Sequence, residues 1–199
     1  MKFRTIFVLL SVIFTAHLSA GISKPYTAYS EENGYTTIGF VDLDAPYDKA
    51  REMLLNYAGY ENWLLDGLTR DDPEAKKLLV TLNRLEYDRT NNSITVYFSF
   101  NILFMKNKEY SLPFMFKNMD DGSGITLTAD PNHWSSKFIS RLVYTICLQQ
   151  MPAGLVLNYS GDCKLKGFAE RCFNLRLYKK NIEWYIYKFA SNFVNRLSV

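Results

Sequence analysis

Ile94-Thr95-Val96-Tyr97-Phe98-Ser99-Phe100-Asn101-Ile102-Leu103-Phe104 alternates almost throughout. Ile94, Val96, Phe98, Phe100, Ile102 and Phe104 fall on one face, and Thr95, Tyr97, Ser99 and Asn101 on the other. Successive side chains of a strand point to opposite sides, so this period of two predicts a half-buried strand. The pattern returns after Lys106-Asn107-Lys108, with Tyr110, Leu112, Phe114 and Phe116 in phase. Asp120-Asp121-Gly122-Ser123-Gly124 supplies a hairpin turn, followed by a strand over 125–129. Further strands are expected over 78–87, 138–148 and 155–166.

The period changes on either side of this block. Upstream, residues 21–34 read as a polar lead-in and 35–43 as a strand. Asp44 offers a helix N-cap, Pro46 suits a first turn, and Ala50, Met53, Leu54 and Tyr57 share a helical face. Gly59 breaks that helix, and 60–65, with Trp63, reads as a second short helical turn. Downstream, Phe168, Cys172, Leu175, Ile182, Tyr185, Ile186, Phe189, Phe193 and Leu197 form one stripe. They predict a single final helix of about 29 residues, roughly 44 Å long. The expected order is a strand, two short helices, a run of antiparallel strands and a closing helix. A sheet with one apolar face needs a cover, and the last helix is long enough to provide it.

The chain has 199 residues, 48% hydrophobic and 16% aromatic, which fits one globular domain. The first twenty residues read as a secretory signal: Lys2 and Arg4, then Ile6-Phe7-Val8-Leu9-Leu10-Ser11-Val12-Ile13-Phe14, then Ser19-Ala20-Gly21. The domain boundaries expected are therefore 1–20 signal, 21–34 lead-in and 35–199 folded domain. Removing the signal leaves 21 basic residues against 20 acidic. No basic surplus remains for a nucleic-acid partner. Charge is uneven, with 11 acidic and 3 basic residues from 31 to 74, and 6 basic and 2 acidic from 168 onward. The basic C-terminal helix is a candidate for peripheral contact with anionic lipid. Cys147 reads as a core residue, while Cys163 and Cys172 are a candidate disulfide.

Val41-Asp42-Leu43-Asp44-Ala45-Pro46, leading into Ala50-Arg51-Glu52-Met53-Leu54 and Asn56-Tyr57-Ala58-Gly59-Tyr60-Glu61-Asn62-Trp63, resembles the START-like group. This is the polyketide cyclase, SRPBCC or Bet v 1-like superfamily. The order of elements is similar across roughly 35–197. The resemblance implies an α+β helix-grip fold: a curved antiparallel sheet of six or seven strands around a long C-terminal helix. It also implies a cavity between them, used elsewhere in the group for lipids, sterols, quinones and polyketides. Only Ala45-Pro46 and Trp63 carry over, as structural positions.

Catalytic patterns are sparse. Past the signal the one histidine is His133, so a multi-histidine zinc site is excluded. A triad would need His133 with Asp130 nearby, and the Gly-x-Ser-x-Gly elbow is missing. There is no phosphate-binding or dinucleotide loop, and no cofactor or catalytic residue is assigned. His133-Trp134 fits a loop at a cavity mouth. Asn101 and Arg141 interrupt apolar strands and could orient a ligand if they face inward. The candidate cavity residues are Trp63, Phe98, Phe100, Phe104, Phe114, Phe116, His133, Trp134, Tyr185 and Phe189.

The expectation is an exported, monomeric carrier of an apolar small molecule, periplasmic or secreted. The alternatives are a cyclase- or hydrolase-like enzyme using His133, or a ligand-free interaction protein at an envelope surface.

Overall fold

A computed structural model describes residues 21–69, 71–101 and 108–198. The expected signal at 1–20 and the candidate Phe104 lie outside these residues. Eight strands form one antiparallel sheet: β1 Tyr26–Ser30, β2 Gly34–Leu43, β3 Val80–Asp88, β4 Ser93–Phe100, β5 Glu109–Asn118, β6 Gly124–Ala129, β7 Ile139–Met151 and β8 Gly154–Leu165. Their order across the sheet is β1-β2-β8-β7-β6-β5-β4-β3. The helices are α1 Tyr47–Leu55, α2 Phe168–Cys172 and α3 Leu175–Leu197. The fold class is the expected one, with one strand more than the upper expectation.

The extra strand is β1, inside the stretch read as a polar lead-in. Tyr26 pairs with Ile38 and Ser30 with Gly34. Its side chains are mostly exposed, so an edge strand of this kind has no apolar alternation to betray it. Thr27 is the exception: it is fully buried, with its hydroxyl 3.0 Å from that of buried Thr37. The folded domain therefore starts before residue 35.

Two helix boundaries also differ from expectation. Pro46, not Asp44, occupies the cap position of α1, and no side chain caps it. Its φ of −60° is fixed by the ring, which sets the chain for the turn that follows. The single long terminal helix is interrupted after α2. Phe173 is extended, and the Asn174 side chain accepts the Leu177 N–H at 3.0 Å to start α3. Asn is a strong N-cap because its side-chain oxygen satisfies an orphan amide of the first turn. The 23 residues of α3 span roughly 35 Å.

α3 touches both ends of the strand order, which is what curls the sheet around it. On one side Tyr178 stacks on Tyr35 of β2 with ring centroids 4.0 Å apart. On the other, α3 satisfies the free edge of β3. The Asn181 Oδ1 accepts the Val80 N–H at 3.1 Å. The Tyr185 hydroxyl accepts from Leu82 N–H at 3.1 Å and donates to the Val80 carbonyl at 2.9 Å. An unpaired strand edge invites aggregation, and here helix side chains cover it.

Candidate functional site

The space between sheet and helix has two ends of different character. At one end α1, the 3-10 turn Tyr57–Asn62 and the last turns of α3 close the grip. Tyr57 stacks on Phe116 at 4.0 Å, and Trp63 packs edge-on against Tyr60 at 5.4 Å and Phe193 at 5.9 Å. The Tyr60 hydroxyl donates to the Leu54 carbonyl, and Tyr57 donates to the Asn118 side chain. The Asn192 side chain reaches the carbonyls of Trp63, Leu64 and Asp66. This end is filled core.

At the other end the aromatics touch each other but stay partly open. Phe98, Phe100 and Tyr110 form a triangle with centroids 5.4 to 5.9 Å apart. Trp134 lies 5.5 Å from Tyr110 and 6.1 Å from Phe138, and Phe173 lies 6.5 Å from Phe100. Trp134 is 38% exposed, against 7% for Trp63. The rim therefore comes from the ends of β4 and β5, the 3-10 turn Trp134–Lys137, the start of β7 and the α2–α3 junction.

Between the ends, the concave face of the central strands is apolar and incompletely covered. Register places Val96, Leu127, Ala129, Tyr144 and Ile146 on the same face as buried Ile94, Phe114, Ile125 and Leu148. Each of those five remains only half-buried although it packs against the core, as does Ile182 on α3. A close-packed interior leaves no such surface on its inward side chains.

The polar groups on this face are few. Tyr144 crosses Gly161 on the neighbouring strand, where a Cβ would lie 2.6 Å from its ring. Burial drives its phenol well above the ordinary range, and nearby Cys163 adds to the rise. Burial likewise pushes the Cys163 thiol up to about 12, opposed by the adjacent Tyr178 hydroxyl. Tyr178 is raised chiefly by burial too. Tyr35 donates its hydroxyl to the Phe173 carbonyl at 2.6 Å, tying β2 to the α2–α3 junction. These groups are neutral donors at physiological pH.

The structure sorts the ten candidates into groups. Phe98, Phe100, His133 and Trp134 come together at the open end, and Phe114 sits 6.2 Å from Tyr144 in the middle. Trp63 and Phe116 belong to the filled end. Tyr185 and Phe189 are displaced from the site: with Leu68, Leu78 and Trp184 they form a satellite cluster under the 64–79 segment. Tyr185 uses its hydroxyl on β3, so it is a strand-edge residue. Cys163 is a free thiol, which corrects the disulfide expected with Cys172.

Asn101 and Arg141 do not supply inward polar groups. The Asn101 amide donates to the Leu78 carbonyl at 2.7 Å, and Arg141 reaches out to the Asn33 carbonyl at 3.0 Å. The Asp130 carboxylate accepts the Asn132 N–H at 2.8 Å within its own turn. Missed from the sequence were Tyr110, Phe138 and Phe173 on the rim and Tyr144, Cys163 and Tyr178 inside. Tyr144 is in phase with Leu142, Ile146 and Leu148, which was the available signal. Among the described residues, no group of three or more metal-ligating side chains gathers, and no helix is long and apolar enough to cross a membrane. A surface concavity of about 430 Å³ at the β5–β6 hairpin is bordered by Lys117, Asn118, Met119, Asp120, Asp121 and Thr126.

No protein-family model and no curated protein matches the sequence. Solved structures do match. A START superfamily protein from Mycobacterium smegmatis superposes with a TM-score of 0.53 at 9% identity, covering 83% of this chain and 98% of that one. The Zhui aromatase/cyclase from a Streptomyces species gives 0.55 at 10% identity, over 82% and 93%. A conserved protein from Geobacillus kaustophilus gives 0.53 at 11% identity, over 82% and 95%. At such identities the likeness speaks for shape alone. Together with the eight-stranded sheet curled on α3, it establishes that this chain carries the START-like helix-grip fold.

Proposed function

We propose that the protein binds an apolar, lipid-like small molecule between the sheet and α3, entering at the aromatic rim. One observation carries this reading: apolar side chains facing the helix from the central strands stay half-buried, while the opposite end is packed solid. A ligand there would gain roughly 25 cal/mol for each Å² of apolar surface withdrawn from water. Such sites are mostly apolar with a few polar groups that orient the occupant, which fits Tyr144 and its neighbours. The fold is shared with a structure titled an aromatase/cyclase, so a cyclase-like activity on the bound molecule is the second reading. His133 would be its base, and its place beside Trp134 at the rim is the observation in its favour.

Residues 1–20 direct export in this proposal, to the periplasm or outside the cell, and a single chain carries the ligand without a cofactor. Contact with anionic lipid through the basic C-terminal region rests on Arg171 and Arg176, which are exposed. Lys179 lies over the Tyr26 ring, Lys180 reaches the Lys77 carbonyl and Lys188 lies over Trp184, so these three serve the chain itself.

The test is to express the full chain, purify it natively, read its N-terminal mass and analyse an organic extract by mass spectrometry. Cleavage after Ala20 with a stoichiometric lipid-like species supports the proposal. An empty protein that also refuses fluorescent fatty-acid and sterol probes overturns the carrier reading. A mature His133→Ala protein that keeps binding but loses conversion of the bound molecule would move the assignment to the enzyme.

A further inference from the structure

The sheet has two edges, and they are finished differently. At the β3 edge, side chains of α3 bond Val80 and Leu82, Glu61 accepts the Tyr87 N–H at 2.6 Å, and Thr69 forms a bridge to Leu82. At the β1 edge, no described residue bonds the outward side of the strand. The chain along this edge is longer than β1 itself: Ile22 bridges Val41, Ser23 bonds Phe40, and β1 continues to Ser30. Natural edges are blunted by bulges, or by Lys, Pro or inward charges within the strand. Tyr26–Ser30 has none of these: its register with β2 is unbroken and it reads Tyr-Thr-Ala-Tyr-Ser. Tyr26 and Tyr29 stay 62% and 45% exposed, so two large aromatic side chains stand at this open edge. The flanks of the strand carry opposite charge. Lys24 is exposed on one side, with Lys179 of α3 over the Tyr26 ring, and Glu31 and Glu32 are exposed on the other. Both ion pairs among the described residues are made by Arg84, so these flanking charges are not matched within the chain.

A strand with one basic and one acidic flank is complementary to its own antiparallel copy. We propose that two copies of this chain pair antiparallel through β1, about a two-fold axis at Ala28, so that their sheets continue into one another. This register sets Ala28 opposite itself, Thr27 opposite Tyr29, Tyr26 opposite Ser30 and Lys24 opposite Glu32 of the other copy. The contact is isologous, using the same patch on both chains. Because the β3 edge is already capped, assembly stops at two copies. A short strand pair covers little area, so the dimer is weak and depends on concentration. High salt weakens it further, because the Lys24–Glu32 contacts lie at the surface. Each chain keeps its own grip, so the pairing is independent of the carrier reading. The single copy expected from the sequence becomes the dilute state.

The test is sedimentation velocity on the full chain, from micromolar to near-millimolar concentration, at low and high salt. The wild type moves from one copy to two as concentration rises, and salt reverses the shift. Lys24→Glu alone and Glu32→Lys alone each place like charges across both symmetry-related contacts, and each weakens the dimer about tenfold. Mixing the two variants restores pairing, because every contact again joins opposite charges. Ala28→Cys reads the register. Directly opposite Cα atoms of an antiparallel pair lie within disulfide reach, so this variant crosslinks to itself under mild oxidation. Peptide mass spectrometry then finds position 28 on both sides of the bond. A wild type that stays a single copy at every concentration overturns the proposal. So does a dimer that ignores both charge reversals, or one whose Ala28→Cys variant does not crosslink at position 28.

Discussion

The two ends of the grip are built from the same residue types and differ in how completely they use them. At the closed end, Tyr57, Tyr60, Trp63, Phe116 and Phe193 interlock, and their polar atoms are satisfied by Leu54, Asn118 and Asn192. At the open end, Phe98, Phe100, Tyr110 and Trp134 touch one another and reach Phe138 and Phe173, but Trp134 keeps 38% of its surface exposed. Aromatic content therefore does not mark a ligand site by itself. What distinguishes the ends is whether a second layer covers the rings. α1 and the turn after it provide one at the closed end, whereas the rim is formed by element ends and short turns.

The sharpest way to break this comparison is Trp63→Ala. Large-to-small changes of a buried aromatic cost about 3–5 kcal/mol. The variant is expected to lose that much in urea unfolding while an apolar probe still binds the folded fraction. A loss below about 1 kcal/mol would mean that the closed end is not the structural one. Asn181→Leu comes next. It leaves the Val80 N–H at the β3 edge without its partner, at about 1–3 kcal/mol. Faster amide exchange at Val80 would locate the damage, and unchanged exchange would show that α3 does not seal that edge.

Phe98→Ala is the counterpart at the open end. Its ring is half-buried, so about 1 kcal/mol of stability is expected to go, together with weaker uptake of a fluorescent apolar probe. If stability falls as far as in Trp63→Ala and uptake is unchanged, the two ends are equivalent and the comparison fails. The smallest effect at neutral pH concerns Cys163. Burial holds its thiol protonated up to about 12 against an ordinary value of 9.0. Above pH 9 the unfolded chain loses this proton while the folded chain keeps it, so stability is full below pH 9 and declines from pH 9 toward 12. Cys163→Ala is expected to flatten part of that decline in thermal scans across the window. An unchanged slope would place the thiol in contact with solvent.

Much of the fold was legible because its signals are local. The alternation of Ile94, Val96, Phe98 and Phe100, the Asp-Gly-Ser turn before β6 and the apolar stripe ending at Leu197 each reflect one element's own period. β1 was illegible for the complementary reason: it buries one residue, Thr27, and its pairing with β2 supplies the order its sequence lacks. The break before α3 carried a readable mark in Asn174, overridden because apolar spacing on both sides of it stays in phase.

The site divided along the same line. That Phe98 and Phe100 face inward follows from their parity and was fixed by the chain alone. That Tyr185 leaves the interior to bond Val80 and Leu82 was not, because one helical stripe can face either the concave sheet or a strand edge. Tyr144 illustrates the limit most clearly. Its phase with Leu142, Ile146 and Leu148 places it on a face, but only the sheet's curl brings it beside Cys163 and Tyr178 and lays it on Gly161. The sequence by itself determined element type, turn chemistry and the inward set of each strand, since these depend on neighbours within a few residues. The tertiary structure alone decided which inward side chains are fully covered and which stay half-buried, because coverage depends on contacts between residues far apart in the chain.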